Sequence, residues 1–198
     1  KYGNDPVRWY LIKDISLGND GDFQDKRFVD IINNDLANTI GNLLNRTSSM
    51  SRKWFDNKVP DNEKTSSENK LEHLAKISVE NYHEKFNKYK LDLAANEVLN
   101  LAINTNLYLN DNQPWLLIKE KDNLPIVKEI IYDVLESIRI IGLLLQPLLP
   151  KLSSKINDQL GSIYKKEVPW DQQLNWGLLI SNSSLPKPSP VINKLEYE

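Results

Sequence analysis

The chain has 198 residues, a length typical of one or two domains, and 25 Lys and Arg against 27 Asp and Glu give a net charge of −2. This balance excludes a broadly basic coat for nucleic acid, although a local basic face stays open. With no Cys and only two His, His73 and His83, the chain excludes disulfides, thiolate zinc sites and Cys nucleophiles. It also leaves little for a His-based metal site, so we expect no metal.

Helical periodicity dominates the chain, and no segment of useful length has the period of a strand. No apolar run approaches the ~18 residues that span a bilayer, so no membrane contact is expected. In chain order the predicted helices cover about 5–14, 22–54, 66–86, 91–109, a short segment entered through Pro114, 122–146 and 150–161. After Gly161 the chain looks irregular. These features predict an all-α helical bundle with an irregular C-terminal extension wrapped over it.

No arrangement of side chains predicts catalysis within the chain. The carboxylates are scattered over amphipathic helices, where such groups are usually solvated. His73 and His83 lie ten residues apart on a helix that looks exposed. We therefore expect no catalytic residue here.

A polar ridge is the first feature of functional interest. Asn34, Asn38, Asn42 and Arg46 follow one another at intervals of four along the second predicted helix, beside its apolar stripe. Asn is a poor helix former, because its amide competes for backbone hydrogen bonds. The alternative interpretation is a solvated face in a chain that is rich in Asn throughout.

The second feature is the tripeptide Gln113-Pro114-Trp115 at the start of a short helix. Pro114 restricts the backbone there and so holds Trp115 in place. The indole would then be a rigid flat surface on which an unstacked base can lie, a contact worth ~1–3 kcal/mol per base. The alternative is a Trp of the hydrophobic core.

Seven stretches, spread over nearly the whole chain, form a recognisable combination. They are 1–11 (KYGNDPVRWYL), 18–23 (GNDGDF), 35–38 (DLAN), 41–46 (GNLLNR), 106–108 (NLY), 114–115 (PW) and 148–150 (LLP). In order and spacing they resemble the anticodon-binding domain of methionyl-tRNA synthetases, which are class I enzymes. The implied fold is the α-helical bundle of class I anticodon-binding domains.

The resemblance implies that Asn42, Arg46 and Trp115, with Pro114 adjoining, recognise the CAU anticodon in the loop of tRNA(Met). Asn38 and Asn106 match recurrent Asn positions of the family, and we expect them to support the helix pair and orient the site. The residue types suit this task. Arg is a donor only, whereas Asn offers an acceptor and donors, so the pair complements cytosine and conflicts with uracil. We expect the first anticodon base to stack on Trp115.

The resemblance also implies how the chain is divided into domains and segments. Residues 1–22 would be a connecting helix and turn that follow an absent catalytic domain, 23–160 the anticodon-binding bundle, and 161–198 the extension packed on it. The catalytic domain, with ATP, Mg²⁺ and often zinc, would be the second partner of this chain beside tRNA. The chain alone should then be inactive. We expect Arg8 and Trp9 to lie near the seam, with Trp9 in an apolar patch left bare.

The implied full protein is a methionine–tRNA ligase of the cytoplasm, or of an organellar stroma or matrix. Two alternatives stay open at this point. The chain could be the anticodon-binding domain of a different class I synthetase, or a helical domain that binds other proteins through its Leu-rich grooves.

Overall fold

The computed structural model describes residues 2–14, 21–62, 64–65 and 69–197, and within these ranges it contains helices and no strand. The helices are α1 (Asn4–Asp14), α2 (Asp25–Ile31), a π-helical segment (Ile32–Gly41), α3 (Asn42–Trp54), α4 (Lys70–Asn87), α5 (Leu91–Asn112), α6 (Pro114–Leu117), a 3-10 turn (Lys121–Asn123), α7 (Leu124–Leu145), α8 (Pro150–Gln159) and α9 (Trp170–Gln173). The predicted all-α fold class is confirmed. Most of the predicted connecting turn (15–20) and the predicted start of the third long helix (66–68) lie outside the described residues.

The long helix predicted near residues 22–54 is continuous, but its middle ten residues are π-helical. The backbone N–H of Asn42 donates to the carbonyl of Ala37, five residues earlier, as π geometry requires. The cause is visible in the apolar spacing. The buried side chains Phe28, Ile32, Leu36 and Ile40 recur every four residues, and at 3.6 residues per turn each such step would drift by about 40°. The wider π turn keeps the stripe facing the core.

The four members of the predicted polar ridge all lie away from the core. Asn34 and Asn38 belong to the π segment, and Asn42 and Arg46 belong to α3. The three Asn residues are exposed and Arg46 is half-buried.

Helix α7 forms the centre of the bundle and packs against α3, α4, α5 and α8. Every residue from Glu129 to Leu145 is buried. The helix is enclosed on all sides because the C-terminal extension covers the face that the other helices leave open. Over the described ranges, no helix has the length and apolar character needed to cross a bilayer.

The extension is fixed to α7 by a buried ion pair between Glu136 and Arg139. Arg139 donates from Nε and Nη2 to the two carboxylate oxygens of Glu136, at 2.8 and 2.7 Å. The same carboxylate accepts hydrogen bonds from the backbone N–H groups of Gly177, Leu178 and Leu179 at 2.7–3.1 Å. The guanidinium also donates to the carbonyls of Gln173 and Asn175. This pair of side chains is thus hydrogen-bonded to five residues of the segment 173–179, which has little regular structure.

The expectation of a bare apolar patch around Trp9 is wrong. Trp9 is fully buried, and its indole Nε1 donates to the Asp35 carboxylate at 2.9 Å. Helix α1 is also joined to the far end of the bundle, because Arg8 donates to the carbonyl of Leu148 at 2.7 Å and Asp5 accepts from the backbone N–H of Leu152 at 2.7 Å. The polar side chains of α1 therefore find hydrogen-bond partners within this chain.

A buried acidic cluster lies on α7, where Thr65 and Asn69 contact this helix. Glu129 accepts from the backbone N–H of Thr65 at 3.0 Å, and Asp133 accepts from Asn69 at 2.8 Å and from the Tyr108 hydroxyl at 3.5 Å. Burial raises the pKa of the Asp133 carboxyl to about 7, and the nearby charge of Glu129 adds to the rise, although the bonds from Asn69 and Tyr108 and the charge of Lys64 oppose it. Asp133 is therefore a titrating group inside the core.

This cluster predicts an unusual dependence of stability on pH. Between the ordinary Asp pKa of 3.8 and the raised value of about 7, the unfolded chain loses the proton and the folded chain keeps it, so folding stability falls as the pH rises through this window. Asp133→Asn keeps one acceptor and adds a donor without the charge. We expect this variant to be more stable than the parent at pH 8, by roughly 1–3 kcal/mol, and equal to it near pH 4, as measured by urea unfolding. A parent chain that gains stability from pH 4 to 7 relative to the variant would contradict this.

Candidate nucleic-acid interface

Asn42 and Arg46 lie one turn apart at the start of α3, where the helix has returned from π to α geometry. Leu43, Leu44 and Thr47 face the core and fix the rotation of the helix. Asn42 is exposed and Arg46 half-buried. The i, i+4 spacing predicted from the sequence therefore holds here, and both side chains share one face.

Trp115 is held at the junction of α5 and α6. Gln113 adopts the left-handed conformation, with φ of +44°, which ends α5 and turns the chain into α6. Pro114 occupies the first turn of α6 and is buried, so the backbone leading to Trp115 is restrained. Trp115 is 36% exposed. The alternative interpretation, in which Trp115 belongs to the hydrophobic core, therefore does not hold.

The structure brings Arg46 and Trp115 together. The guanidinium carbon of Arg46 lies 5.8 Å from the centre of the indole ring, within the range of a cation–π contact. Arg46 also donates from Nη2 to the side-chain oxygen of Asn110 at 3.1 Å. Asn110 was not predicted from the sequence, although it stands one turn after Asn106 on α5. It holds the guanidinium beside the indole.

The two predicted supporting residues have different surroundings. Asn106 donates to the carbonyl of Thr39 at 3.1 Å and to that of Ala102 at 2.9 Å, so it joins α5 to the π segment. Asn38 forms no side-chain hydrogen bond within the described part of the chain. It is exposed and lines a groove instead.

The groove has a volume of about 360 Å³ and lies between the π segment, α3 and the C-terminal segment. Asn42 is part of its wall, so the groove continues the surface that carries Arg46. Its lining residues are Ala37, Asn38, Gly41, Asn42, Asn45, Pro190, Ile192, Asn193 and Lys194. The groove could not be predicted from the sequence, because the C-terminal residues that line it lie about 150 positions from α3. In the ranges that the structure describes, no group of three or more His, Asp or Glu side chains converges as a metal site would require.

Two family models together cover most of the chain. Residues 59–198 match the model described as the anticodon-binding domain of methionyl tRNA ligase, and residues 1–48 match the model of class I tRNA synthetases (M). The chain belongs to the methionyl-tRNA ligase family. Its anticodon-binding domain is the part represented here, which confirms the resemblance inferred from the sequence. Asn42 and Arg46 fall in the stretch matched by the second model, and Trp115 in that matched by the first.

Relatives and solved structures agree with this assignment. The chain is 36% identical over 98% of its length to a methionine–tRNA ligase of Thermosynechococcus vestitus, and 35% identical over its full length to that of Lactococcus lactis. A crystal structure of free Mycobacterium tuberculosis methionyl-tRNA synthetase superposes on 98% of the chain with a TM-score of 0.85 and 27% identity. The M. tuberculosis enzyme is also known bound by methionyl-adenylate. The chain spans only 30–39% of the length of these proteins.

Proposed function

We propose that this domain recognises the CAU anticodon of tRNA(Met) through Asn42, Arg46 and Trp115. The observation that carries the proposal is the placement of the Arg46 guanidinium over the indole of the partly exposed Trp115. A positive donor beside a flat aromatic surface is suited to a base that has left its stack.

The first anticodon base, cytosine, would lie on the indole and present its pairing edge to Arg46 and Asn42. That edge has two acceptors, O2 and N3, and one donor, the N4 amine. Arg46 supplies donors and the Asn42 carboxamide supplies an acceptor, so each polar atom of the edge has a counterpart. Uracil reverses donor and acceptor at N3 and at position 4. It would leave buried polar groups unpaired.

The full protein, of which the chain represents about a third, would attach methionine to tRNA(Met) in an ATP-dependent reaction. Residues 1–22 would connect a catalytic domain, which uses ATP with Mg²⁺, to the bundle (23–160) and its extension (161–198). The chain has no Cys and only two His, so a zinc knuckle would belong to the catalytic domain. We place this activity in the cytoplasm or in an organellar stroma or matrix.

A change at the first anticodon base tests the proposal. We expect a hairpin RNA with the UAU anticodon to bind the chain about 10- to 100-fold more weakly than the CAU hairpin, because each unpaired buried group costs about 1–3 kcal/mol. Fluorescence anisotropy with labelled hairpins measures this. A hairpin with one stem base pair reversed is the control and should bind like the parent. Equal binding of CAU and UAU would contradict the proposal and favour a helical protein-interaction domain.

A further inference from the structure

A second groove, called here the α8 groove, has a volume of about 640 Å³ and lies between the end of α7, helix α8 and the segment 164–173. Grooves that bind small molecules usually enclose about 300–1,000 Å³. The α8 groove shares no lining residue with the groove beside Asn42. Its lining includes the polar side chains of Gln146, Ser154, Asn157, Lys165 and Lys166.

The segment that forms the outer wall of the α8 groove is closed into a loop by the side chain of Gln173. The carboxamide oxygen of Gln173 accepts from the backbone N–H of Lys165 at 2.9 Å, and its nitrogen donates to the carbonyls of Lys165 and Val168, both at 2.8 Å. These bonds stand in place of the backbone pairs of a helix or strand. Lys165 and its neighbour Lys166 therefore project from a fixed backbone.

Tyr164 anchors the same wall to helices α7 and α8. Its hydroxyl donates to a backbone carbonyl of α7 at 3.2 Å, and its backbone N–H donates to the side-chain oxygen of Asn157 at 2.9 Å. Gly142 makes room for this ring, because a methyl group added there would collide with the Tyr164 hydroxyl. Trp170 is held by a bond of 3.0 Å from its Nε1 to the carbonyl of Leu143. The groove is thus formed in advance, which lowers the cost of binding.

The polar groups that stay free in the α8 groove are mostly hydrogen-bond donors. Within the described ranges, the ammonium groups of Lys165 and Lys166 form no ion pair or hydrogen bond. Asn157 has only its amide N–H groups to offer, because its oxygen already accepts from Tyr164. Glu167 supplies the one carboxylate among the lining residues that the structure describes. A lining with an excess of donors and of positive charge suits a ligand that brings acceptors and negative charge.

We propose that the α8 groove binds a phosphate monoester of nucleotide size. A phosphate monoester carries close to two negative charges at neutral pH and has only acceptor oxygens to satisfy, so Lys165, Lys166 and the Asn157 amide hold it. Trp170 supplies the flat apolar surface for the attached base. Its indole is kept in place by the edge-on contact with His83, at 5.4 Å between ring centres. None of these residues belongs to the anticodon site proposed above.

Isothermal titration calorimetry of the chain with adenosine monophosphate (AMP) and with adenosine tests the proposal. We expect AMP to bind, and adenosine to bind at least about tenfold more weakly, because adenosine lacks the charged acceptors. Lys165→Ala/Lys166→Ala should lower the affinity for AMP about tenfold or more. Lys119→Ala/Lys121→Ala, which changes two exposed lysines outside the groove, is the matched control and should bind AMP like the native chain.

Three results would overturn the proposal: no binding of AMP by the native chain, equal binding of AMP and adenosine, or an unchanged affinity of Lys165→Ala/Lys166→Ala for AMP. An RNA hairpin separates the two sources of phosphate. If the double variant bound the hairpin more weakly and the native chain did not bind AMP, the groove would contact the RNA backbone instead of a small ester. Equal binding of CAU and UAU hairpins would defeat the anticodon proposal alone and leave the result with AMP unchanged.

Gln173→Ala tests whether the closed loop positions the two lysines. This variant keeps both ammonium groups and removes three hydrogen bonds, so we expect AMP to bind about 3- to 10-fold more weakly, with helix content unchanged by circular dichroism. Gln172→Ala, at the exposed neighbouring position, is the control and should bind like the native chain. Native affinity of Gln173→Ala for AMP would contradict the role of the loop in the proposed site.

Discussion

Replacement of Glu136 by Ala is expected to destabilise the chain by about 3–5 kcal/mol, the usual cost of leaving one partner of a buried ion pair alone. Glu136 is fully buried and Arg139 is 3% exposed, so water cannot replace the lost carboxylate. The N–H groups of Gly177, Leu178 and Leu179 would lose their acceptor as well. Urea unfolding followed by circular dichroism measures the change in free energy.

The matched control is Glu84→Ala, which removes an exposed pairing with Lys88 on α4. Such surface pairs contribute little, so this variant should unfold like the parent. The double change Glu136→Met/Arg139→Leu separates the charge from the backbone bonds. It removes the unpaired cation and still leaves three N–H groups without an acceptor, so we expect it to remain less stable than the parent. Parent-like stability of Glu136→Ala would show that the extension is held by other contacts.

Replacement of Trp115 by Ala should lower the affinity for a CAU hairpin about 10- to 100-fold, because stacking contributes ~1–3 kcal/mol per base. Arg46 would lose its aromatic neighbour at the same time. Trp115→Phe keeps a smaller flat surface and should retain part of the affinity. Anisotropy titrations with the labelled hairpin measure both variants.

Tyr89→Ala is the control for this experiment, since Tyr89 is an aromatic residue 79% exposed and outside the site. It should bind RNA like the parent. Trp115 is only 36% exposed, so its truncation also removes packed apolar surface, and urea unfolding is used to confirm that Trp115→Ala is folded under the conditions of the titration. If Trp115→Ala bound the hairpin with parent affinity, the indole would not be a stacking surface and the proposed site would be wrong.

The helices were predictable because each amphipathic stripe in the sequence reports one buried face. Helix α7 was predicted as a helix, but its burial on every side was not, because periodicity alone does not show that polar residues such as Asp133 and Glu136 are buried. The π segment is marked in the sequence by the four-residue spacing of Phe28, Ile32, Leu36 and Ile40. Helix α9 could not be predicted, because a segment of four residues is too short to show helical periodicity.

The candidate site was predictable in part. Asn42, Arg46 and Trp115 follow from the family resemblance and from residue chemistry, and the structure brings Arg46 to the indole across a sequence distance of 69 residues. Asn110 and the wall formed by Asn193 and Lys194 could not be predicted. Their positions depend on how distant segments meet in three dimensions, which local spacing does not encode. The buried Trp9 was mispredicted for the same reason, since its partner Asp35 belongs to another helix.

The π-helical segment sets the rotation of α3 relative to α2 about the axis of one continuous helix. Each residue of an α-helix rotates the direction of its side chain about the helix axis by about 100°. If deletion of one residue between Ile32 and Gly41 restored α-helical geometry there, the residues of α3 would be rotated about the helix axis relative to those of α2. Either the apolar stripe or the face that carries Asn42 and Arg46 would then point the wrong way. Single-residue deletions in this stretch should therefore be far less well tolerated than substitutions at its exposed positions.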